Sequence, residues 1–227
     1  MNQIVVGPFF PEPDRTPLSD EERRAIRGFH ELHYARGFGR LYLSWFGYGL
    51  IKTAVDMWMY QELIVRRKPD VVVETGTYNG GSALYFAMLQ DRLEHGRVIT
   101  IDIEDKPERP KHPRITYVTG SSVDADIVAQ VHAAVGTSRA MVILDSDHSA
   151  AHVYEEILAY SPLVQVDDYL IVEDTDINGH PVCANHGPGP MEGLVRFLAE
   201  TEAFQVDKDC ERLLMTVNPS GYLRRVA

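Results

Sequence analysis

Carboxylates follow four apolar runs of this sequence, at the point where each run ends. They are Glu74, Asp102, Asp145 and the adjacent pair Glu173–Asp174. The runs are rich in valine, isoleucine and leucine, which is typical of strands buried on both faces of a parallel sheet. The carboxyl ends of parallel strands lie at one edge of the sheet, where ligands bind. A single acid at such a place is more often a helix cap, but a row of four predicts one shared acidic site.

Three of these acids, Asp145, Glu173 and Asp174, are predicted to lie on two neighbouring strands. Carboxylates this close repel one another unless they are protonated or bridged by a cation. Oxygen ligands alone favour Mg²⁺. His148 follows shortly after Asp145, and a base with an ordinary pKa of about 6.5 beside a metal is suited to removing a hydroxyl proton. We therefore expect Mg²⁺ at the three acids and a catalytic pair formed by His148 and Asp145.

A glycine-containing turn, ETGTYNGGS at residues 74–82, follows the first of these strands. Its glycines allow a tight bend and a close approach to a ligand, and a helix N-terminus follows. The order departs from G-x-G-x-x-G, the pattern that holds a dinucleotide pyrophosphate. A looser turn after an acid suits S-adenosylmethionine, which has a sulfonium, an amino-acid tail and a ribose but no phosphate. The expected cofactor-binding residues are Glu74, Gly76, Thr77, Gly80, Ser82, Asp102, Ser121 and Asp145.

Strand and helix patterns alternate from residue 70 onward, which predicts an α/β fold with a doubly wound, mostly parallel seven-stranded sheet. Two last strands, 212–217 and 221–225, are predicted to form an antiparallel hairpin around an Asn-Pro-Ser-Gly turn. Before the sheet we expect an extended arm at 1–17, a helix at 20–34 that begins with a Ser19–Glu22 capping box, and a helix at 56–67. Residues 1–55 would be a lid or an interface, and residues 56–227 the catalytic domain.

Composition excludes several classes of protein. The chain has 227 residues and a formal net charge of −11, which argues against nucleic acid as a partner. No apolar run approaches the ~18 residues of a membrane span. Two cysteines and the lack of a secretory signal pattern are typical of a cytoplasmic protein.

From about residue 40 onward the chain resembles a known family, the S-adenosylmethionine-dependent methyltransferases that are grouped under the name cephalosporin hydroxylase. The resemblance implies a class I methyltransferase fold (Rossmann-like), with Mg²⁺ at Asp145, Glu173 and Asp174. Members of the family look like O-methyltransferases, some of which act on sugar hydroxyls. The matching stretches are DMWMYQEL (56–63), VETGTYNGGS (73–82), LDSDHS (144–149), VEDT (172–175), NGHP (178–181), GPGPM (187–191) and NPSGYL (218–223).

The expected activity is methyl transfer to a hydroxyl of a sugar, with His180, His186 and Tyr78 as candidate substrate contacts. A small-molecule or oligosaccharide acceptor and a homo-oligomer are the expected partners. Modification of a β-lactam or another natural product is the alternative. A nicotinamide-dependent oxidoreductase would need the missing dinucleotide turn. A non-catalytic cofactor-binding subunit would not need the intact acids and His148.

Overall fold

A computed structural model describes residues 16–37 and 43–227. Most of the predicted N-terminal arm, and the aromatic residues Phe38 and Tyr42, lie outside the described residues. In chain order the elements are α1 (Asp20–Gly37), β1 (Leu43–Trp45), β2 (Tyr48–Leu50), α2 (Ala54–Arg67), β3 (Val71–Thr75), α3 (Gly81–Leu93), β4 (Arg97–Asp102), β5 (Ile115–Thr119), α4 (Ala125–Val135), β6 (Ala140–Leu144), α5 (Ala150–Tyr160), β7 (Tyr169–Val172), α6 (Pro190–Glu200), β8 (Phe204–Val206) and β9 (Tyr222–Arg225).

The main sheet of the described chain has seven strands in the order β5-β4-β3-β6-β7-β9-β8. Strands β3 to β7 are parallel, and β9 runs antiparallel to β7 and to β8. The predicted fold class is therefore confirmed. The chain order reverses beside β3, with β4 on one side and β6 on the other, which is where open α/β sheets bind ligands.

The strands are buried because helices cover both faces of the sheet. Val71, Val72 and Val73 are fully buried, with Val71 and Val73 in one hydrophobic cluster and Val72 in the other. Alternate side chains of a strand point to opposite faces, so each valine run contributes to two cores. This packing fixes the strand ends that carry the acids.

The N-terminal helix begins at the predicted capping box. Ser19 N–H donates to Glu22 Oε2 over 2.7 Å, and the Glu22 N–H donates to Ser19 Oγ over 3.3 Å. The helix continues to Gly37, three residues beyond the predicted end. The segment after it contains the β1–β2 hairpin, and Trp45 of that hairpin packs against the Tyr85 ring on α3, with ring centroids 4.9 Å apart.

The prediction of a strand at 212–217 is wrong, since these residues form no strand in the structure. β9 pairs instead with β8, a short strand that its sequence pattern did not indicate. The turn is present, since Gly221 N–H donates to Asn218 O over 2.9 Å. Residues 216 and 217 leave the sheet because Asp56 on α2 accepts hydrogen bonds from Thr216 Oγ1 (2.5 Å) and from the Val217 N–H (3.1 Å). A buried carboxylate needs these donors.

Candidate active site

A cleft of about 430 Å³ opens at the carboxyl ends of β3, β4, β5, β6 and β7. We call it the main cleft. The residues predicted to bind cofactor that line it are Gly76, Thr77, Ser82, Asp102, Ser121 and Asp145; Tyr78 and His148 line it as well. Glu74 and Gly80 do not. Most of the predicted site residues are thus brought to one place.

Gly76 joins the ends of β3 and β6. Its φ is +82°, and a Cβ added to it would lie 1.7 Å from the Asp145 carbonyl oxygen. Its N–H donates to Ile101 O of β4 over 2.8 Å. Only glycine can occupy this position, because a side chain would collide with backbone and φ is in the left-handed region.

Glu74 is fully buried at the end of β3. Its Oε2 accepts from Thr100 Oγ1 over 2.8 Å, and Thr100 Oγ1 also lies 2.7 Å from Thr77 Oγ1. Burial raises the pKa of Glu74, while the Lys52 charge acts in the opposite direction. Its Oε1 has no hydrogen-bond partner among the residues described. A buried acceptor without a partner is costly.

Asp102, at the end of β4, is held by the protein as well as lining the main cleft. It accepts from the backbone N–H groups of Tyr78 (2.8 Å) and Glu104 (2.9 Å). Arg109 Nη2 lies 2.8 Å from Asp102 Oδ2, and Arg109 also donates to the carbonyl oxygens of Tyr78 and Glu104. Arg109 therefore fixes the loop after β4 to the glycine turn. Arg109 was not predicted, because a lone arginine in a charged loop has no distinguishing sequence pattern.

Polar side chains continue from Ser121 into the cleft wall between β5 and β6. His152 Nε2 lies 3.1 Å from Ser122 Oγ and 3.1 Å from Ser146 Oγ. Ser146 Oγ donates to Glu156, which is fully buried, over 2.7 Å. Ile103, directly after Asp102, lines the same cleft and is 74% exposed. An exposed apolar side chain beside polar groups is suited to a flat ring with polar edges.

Asp145, His148 and Asp174 meet at the other side of the main cleft. His148 Nε2 lies 3.4 Å from Asp145 Oδ1 and 3.1 Å from Asp174 Oδ2. One ligand atom from each of the three lies within 4.8 Å of the others, so the set could hold a metal ion. The expected neighbourhood of His148 and the acids is therefore present.

Lys52 lies among these acids and was missed by the sequence analysis. Its Nζ is 2.7 Å from Asp145 Oδ2 and 2.6 Å from Glu173 Oε1. Glu173 also forms a hydrogen bond with the Tyr60 hydroxyl, its side chain is only 2% exposed, and it does not line the main cleft. The structure thus gives Glu173 two protein partners, and its role as a metal ligand stays a prediction.

The charges of this cluster shift its pKa values. Burial raises the pKa of Asp174 to about 7. Burial acts to lower the pKa of His148, but the hydrogen bond to Asp145 and the charge of Asp174 outweigh it, and the pKa is raised to about 9. In this arrangement the imidazole carries a proton at neutral pH.

The predicted substrate residues lie in different places. Tyr78 lines the main cleft. His180 pairs with Glu192 over 2.8 Å, and His186 contacts Gly187 of its own loop. Neither histidine lines the cleft, so their substrate roles stay predictions without a position in it.

Within the described ranges no helix is long and apolar enough to cross a membrane.

The amino-acid sequence of this chain is similar to those of known proteins. The sequence profile of the Rhamnosyl O-methyltransferase/CmcI family matches residues 40–226. A rhamnosyl O-methyltransferase of Mycobacterium tuberculosis is 36% identical over 190 residues, which cover 80% of this chain and 78% of the relative. One of Mycobacterium leprae is 35% identical over 162 residues, 69% of this chain and 71% of the relative.

Solved structures show the same fold. A structure of CmcI with Mg and SAM has a TM-score of 0.64 at 21% identity, and the match covers 97% of this chain and 89% of that one. A putative caffeoyl-CoA O-methyltransferase from Staphylococcus aureus has a TM-score of 0.54 at 13% identity, covering 80% and 92%.

The sheet order and the main cleft define a class I methyltransferase. The chain belongs to the Rhamnosyl O-methyltransferase/CmcI family. The resemblance drawn from the sequence motifs is thereby confirmed, and so is the expected enzyme class, an S-adenosylmethionine-dependent O-methyltransferase.

Proposed function

We propose that this protein transfers the methyl group of S-adenosylmethionine to a hydroxyl of a deoxyhexose such as rhamnose, and that it uses Mg²⁺ to do so. The observation that carries the proposal is one shared cleft. Gly76 and Asp102 line one part of it, and Asp145, with His148 3.4 Å away, lines another. A methyl donor and a proton acceptor would therefore face the same space.

The cofactor would lie along the ends of β3, β4 and β5. Asp102 would accept hydrogen bonds from the ribose hydroxyls. Ile103 would cover one face of the adenine, and Ser121 with Ser122 would lie at its edge. Glu74, whose Oε1 has no partner in the described structure, would attract the positively charged amino-acid end. Ser82 and the N–H groups at the start of α3 offer donors for the carboxylate of that end.

The acid cluster fits a divalent cation. Among the described residues, the acids Glu74, Asp145, Glu173 and Asp174 lie near two cationic side chains, Lys52 and His148. Burial and the charge of Asp145 raise the pKa of Glu173 and of Asp174, and a bound cation would oppose that shift. Asp145 and Asp174 would hold Mg²⁺, as expected from the sequence, with Glu173 the third candidate; His148 lies beside them and would remain uncoordinated. When bound, Mg²⁺ supplies positive charge that makes an acceptor hydroxyl easier to deprotonate.

His148 would take the hydroxyl proton at Nε2. This step needs the neutral imidazole, so the proton that His148 carries in the present arrangement must leave before transfer. Once Nε2 is protonated, Asp145 Oδ1, 3.4 Å away, stabilises the imidazolium that forms. The chain then only has to hold the acceptor oxygen in line with the methyl group, and positioning of this kind supplies much of the rate.

The choice of a sugar acceptor rests on the relatives, which are named for rhamnosyl groups. The described N-terminal residues support a role in closing the site, since Leu50, Ile51 and Lys52 line the main cleft. We propose that segment 1–55 covers the bound cofactor and acceptor and so excludes water. Residues 56–227 would form the catalytic domain.

The test is a methyl-transfer assay with purified protein, S-adenosylmethionine and a panel of saccharides. The panel includes methyl rhamnoside, methyl fucoside, methyl glucoside and a fully O-methylated rhamnoside as the blank. We expect transfer to the free rhamnoside, its loss in EDTA and its recovery with Mg²⁺. Full activity in EDTA would contradict the metal role. Transfer to a β-lactam or another natural product, and to no saccharide, would contradict the proposed acceptor.

A further inference from the structure

Asn218 is buried between the two acids that follow β7 and helix α2. Its side chain is fully buried. Oδ1 accepts from the Asp174 N–H over 3.0 Å, and Nδ2 donates to the Tyr60 hydroxyl over 2.8 Å. The Tyr60 hydroxyl forms a hydrogen bond with the Glu173 carboxylate. One amide therefore connects to both acids, to Asp174 through its backbone and to Glu173 through a tyrosine.

The contact with Asp174 replaces a hydrogen bond of the sheet. Segments 172–176 and 217–221 run side by side, with Val172 N–H donating to Gly221 O over 2.9 Å and Asp176 N–H donating to Val217 O over 3.1 Å. Asp174, between them, has a φ of +52°, an uncommon conformation for a residue with a side chain. The Asn218 amide oxygen supplies the acceptor that the Asp174 N–H would otherwise lack.

Neighbouring contacts hold Asn218 in place. Its N–H donates to Thr216 Oγ1 over 2.9 Å, and Thr175 Oγ1 donates to Pro219 O over 2.7 Å. A Cβ on Gly221 would lie 2.1 Å from Val172 O, so the two segments approach as closely as a glycine allows. The amide thus has a fixed position from which to act on Asp174.

We propose that Asn218 is a positioning residue that sets the directions of the Asp174 and Glu173 carboxylates and thereby the cation affinity of the site. This inference rests on the proposed function, because it takes these acids to be a Mg²⁺ site. Neither Asn218 nor Tyr60 lines the main cleft, so both act only through the acids. Groups that hold metal-binding side chains typically contribute about 10–100-fold to metal affinity.

The experiment measures Mg²⁺ binding by isothermal titration calorimetry on the full chain. Asn218→Ala is expected to raise the Kd for Mg²⁺ roughly 10–100-fold. Tyr60→Phe is expected to raise it less, because it removes the contacts of the Tyr60 hydroxyl with Asn218 and Glu173 but keeps the hydrogen bond from the Asp174 N–H to Asn218. The matched control is Tyr169→Phe on β7. It also removes a largely buried tyrosine hydroxyl, which donates a hydrogen bond to Asp207 over 2.6 Å. The Kd of the control for Mg²⁺ is expected to equal that of the wild type. The affinity for S-adenosylhomocysteine is expected to stay unchanged in every variant.

Asn218→Ser is the second variant if Asn218→Ala does not fold. It keeps an uncharged polar side chain that is too short to reach both the Asp174 N–H and the Tyr60 hydroxyl, so weaker Mg²⁺ binding is again expected. A folded Asn218→Ala or Asn218→Ser with the Mg²⁺ affinity of the wild type would overturn this inference alone. A wild-type protein that binds no Mg²⁺ would overturn the proposed metal dependence and this inference with it.

Discussion

Lys52 Nζ lies 2.6 Å from Glu173 Oε1, and the side chains of both residues are only 2% exposed. The pair is separated by more than a hundred residues in the chain and joins the N-terminal segment to the end of β7. Lys52 also contacts Asp145 over 2.7 Å. Burial acts to lower the pKa of Lys52, but the charges of Asp145 and Glu173 outweigh it and raise the pKa above the ordinary value.

Lys52→Met is expected to destabilise the protein, because it leaves the buried Glu173 carboxylate without its cation and removes one of the two cations beside Asp145. Breaking a buried ion pair from one side typically costs about 3–5 kcal/mol. Urea unfolding followed by circular dichroism measures the change. The control is Lys208→Met, which breaks the largely exposed pair with Glu211 and should cost at most about 1 kcal/mol. A Lys52→Met protein as stable as the control would contradict the role of the pair.

The double variant Lys52→Met/Glu173→Gln separates charge from packing. Removing the unpaired charge should recover part of the lost free energy of unfolding. The double variant would contradict this if its loss in free energy of unfolding exceeded the sum of the losses in the two single variants. The attraction between Lys52 and Glu173 would then not be the main contribution of this pair.

His148→Asn tests the proposed base. Turnover is expected to fall about 10²–10⁴-fold, since the proton would have no acceptor. The affinity for S-adenosylhomocysteine should change little, because His148 lies among the acids. His95→Asn is the control; His95 pairs with Asp70 at the surface, away from the main cleft. A loss of turnover below about tenfold would assign the base to another group.

Gly76→Ala and Gly28→Ala are expected to move stability in opposite directions. A Cβ at position 76 would meet the Asp145 carbonyl oxygen, whereas one at position 28, inside α1, meets nothing within 4 Å. Replacing a mid-helix glycine by alanine stabilises by about 0.5–1 kcal/mol. Thermal melts measure both. A Gly76→Ala melting temperature equal to that of the wild type would show that the two strand ends can separate without cost.

Arg109→Met is expected to weaken cofactor binding without changing the acids at β6 and β7. The variant removes the cation from Asp102 and the two donors that hold the carbonyl oxygens of Tyr78 and Glu104. Hydrogen bonds from a charged group contribute about 1.5–3 kcal/mol each, so we expect at least a tenfold higher Kd for S-adenosylmethionine by calorimetry. Arg114→Met, which breaks a contact with Asp91 outside the main cleft, is the control. Equal affinities in the two variants would contradict the role of Arg109.

The sequence predicted those parts of the site that depend on local pattern. A β-branched run followed by an acid marks a strand end wherever it occurs, so the positions of Asp102 and Asp145 could be inferred from short stretches. Lys52 could not, because nothing beside it in the chain distinguishes it from a surface lysine. Its function arises from Asp145 and Glu173, which come directly after β6 and β7.

The error at 212–217 has a related cause. Leu213, Leu214 and Met215 form an apolar run before a turn, which is typical of a strand. The neighbouring Thr216 and Val217 instead donate to Asp56 on α2. A tertiary contact of this kind overrides the intrinsic strand propensity of a short segment, which depends strongly on context. The short strand β8 takes the place beside β9.

The ion pairs of Lys52 also connect the chemistry of the site to the order in which the chain is made. The lysine is synthesised early and its two carboxylates late, so a nascent chain that stops before β7 carries an amine without Glu173. A fragment that starts after Lys52 carries repelling acids without the amine. The ion pairs of Lys52 with Asp145 and Glu173 therefore form only when both halves of the chain are present and folded.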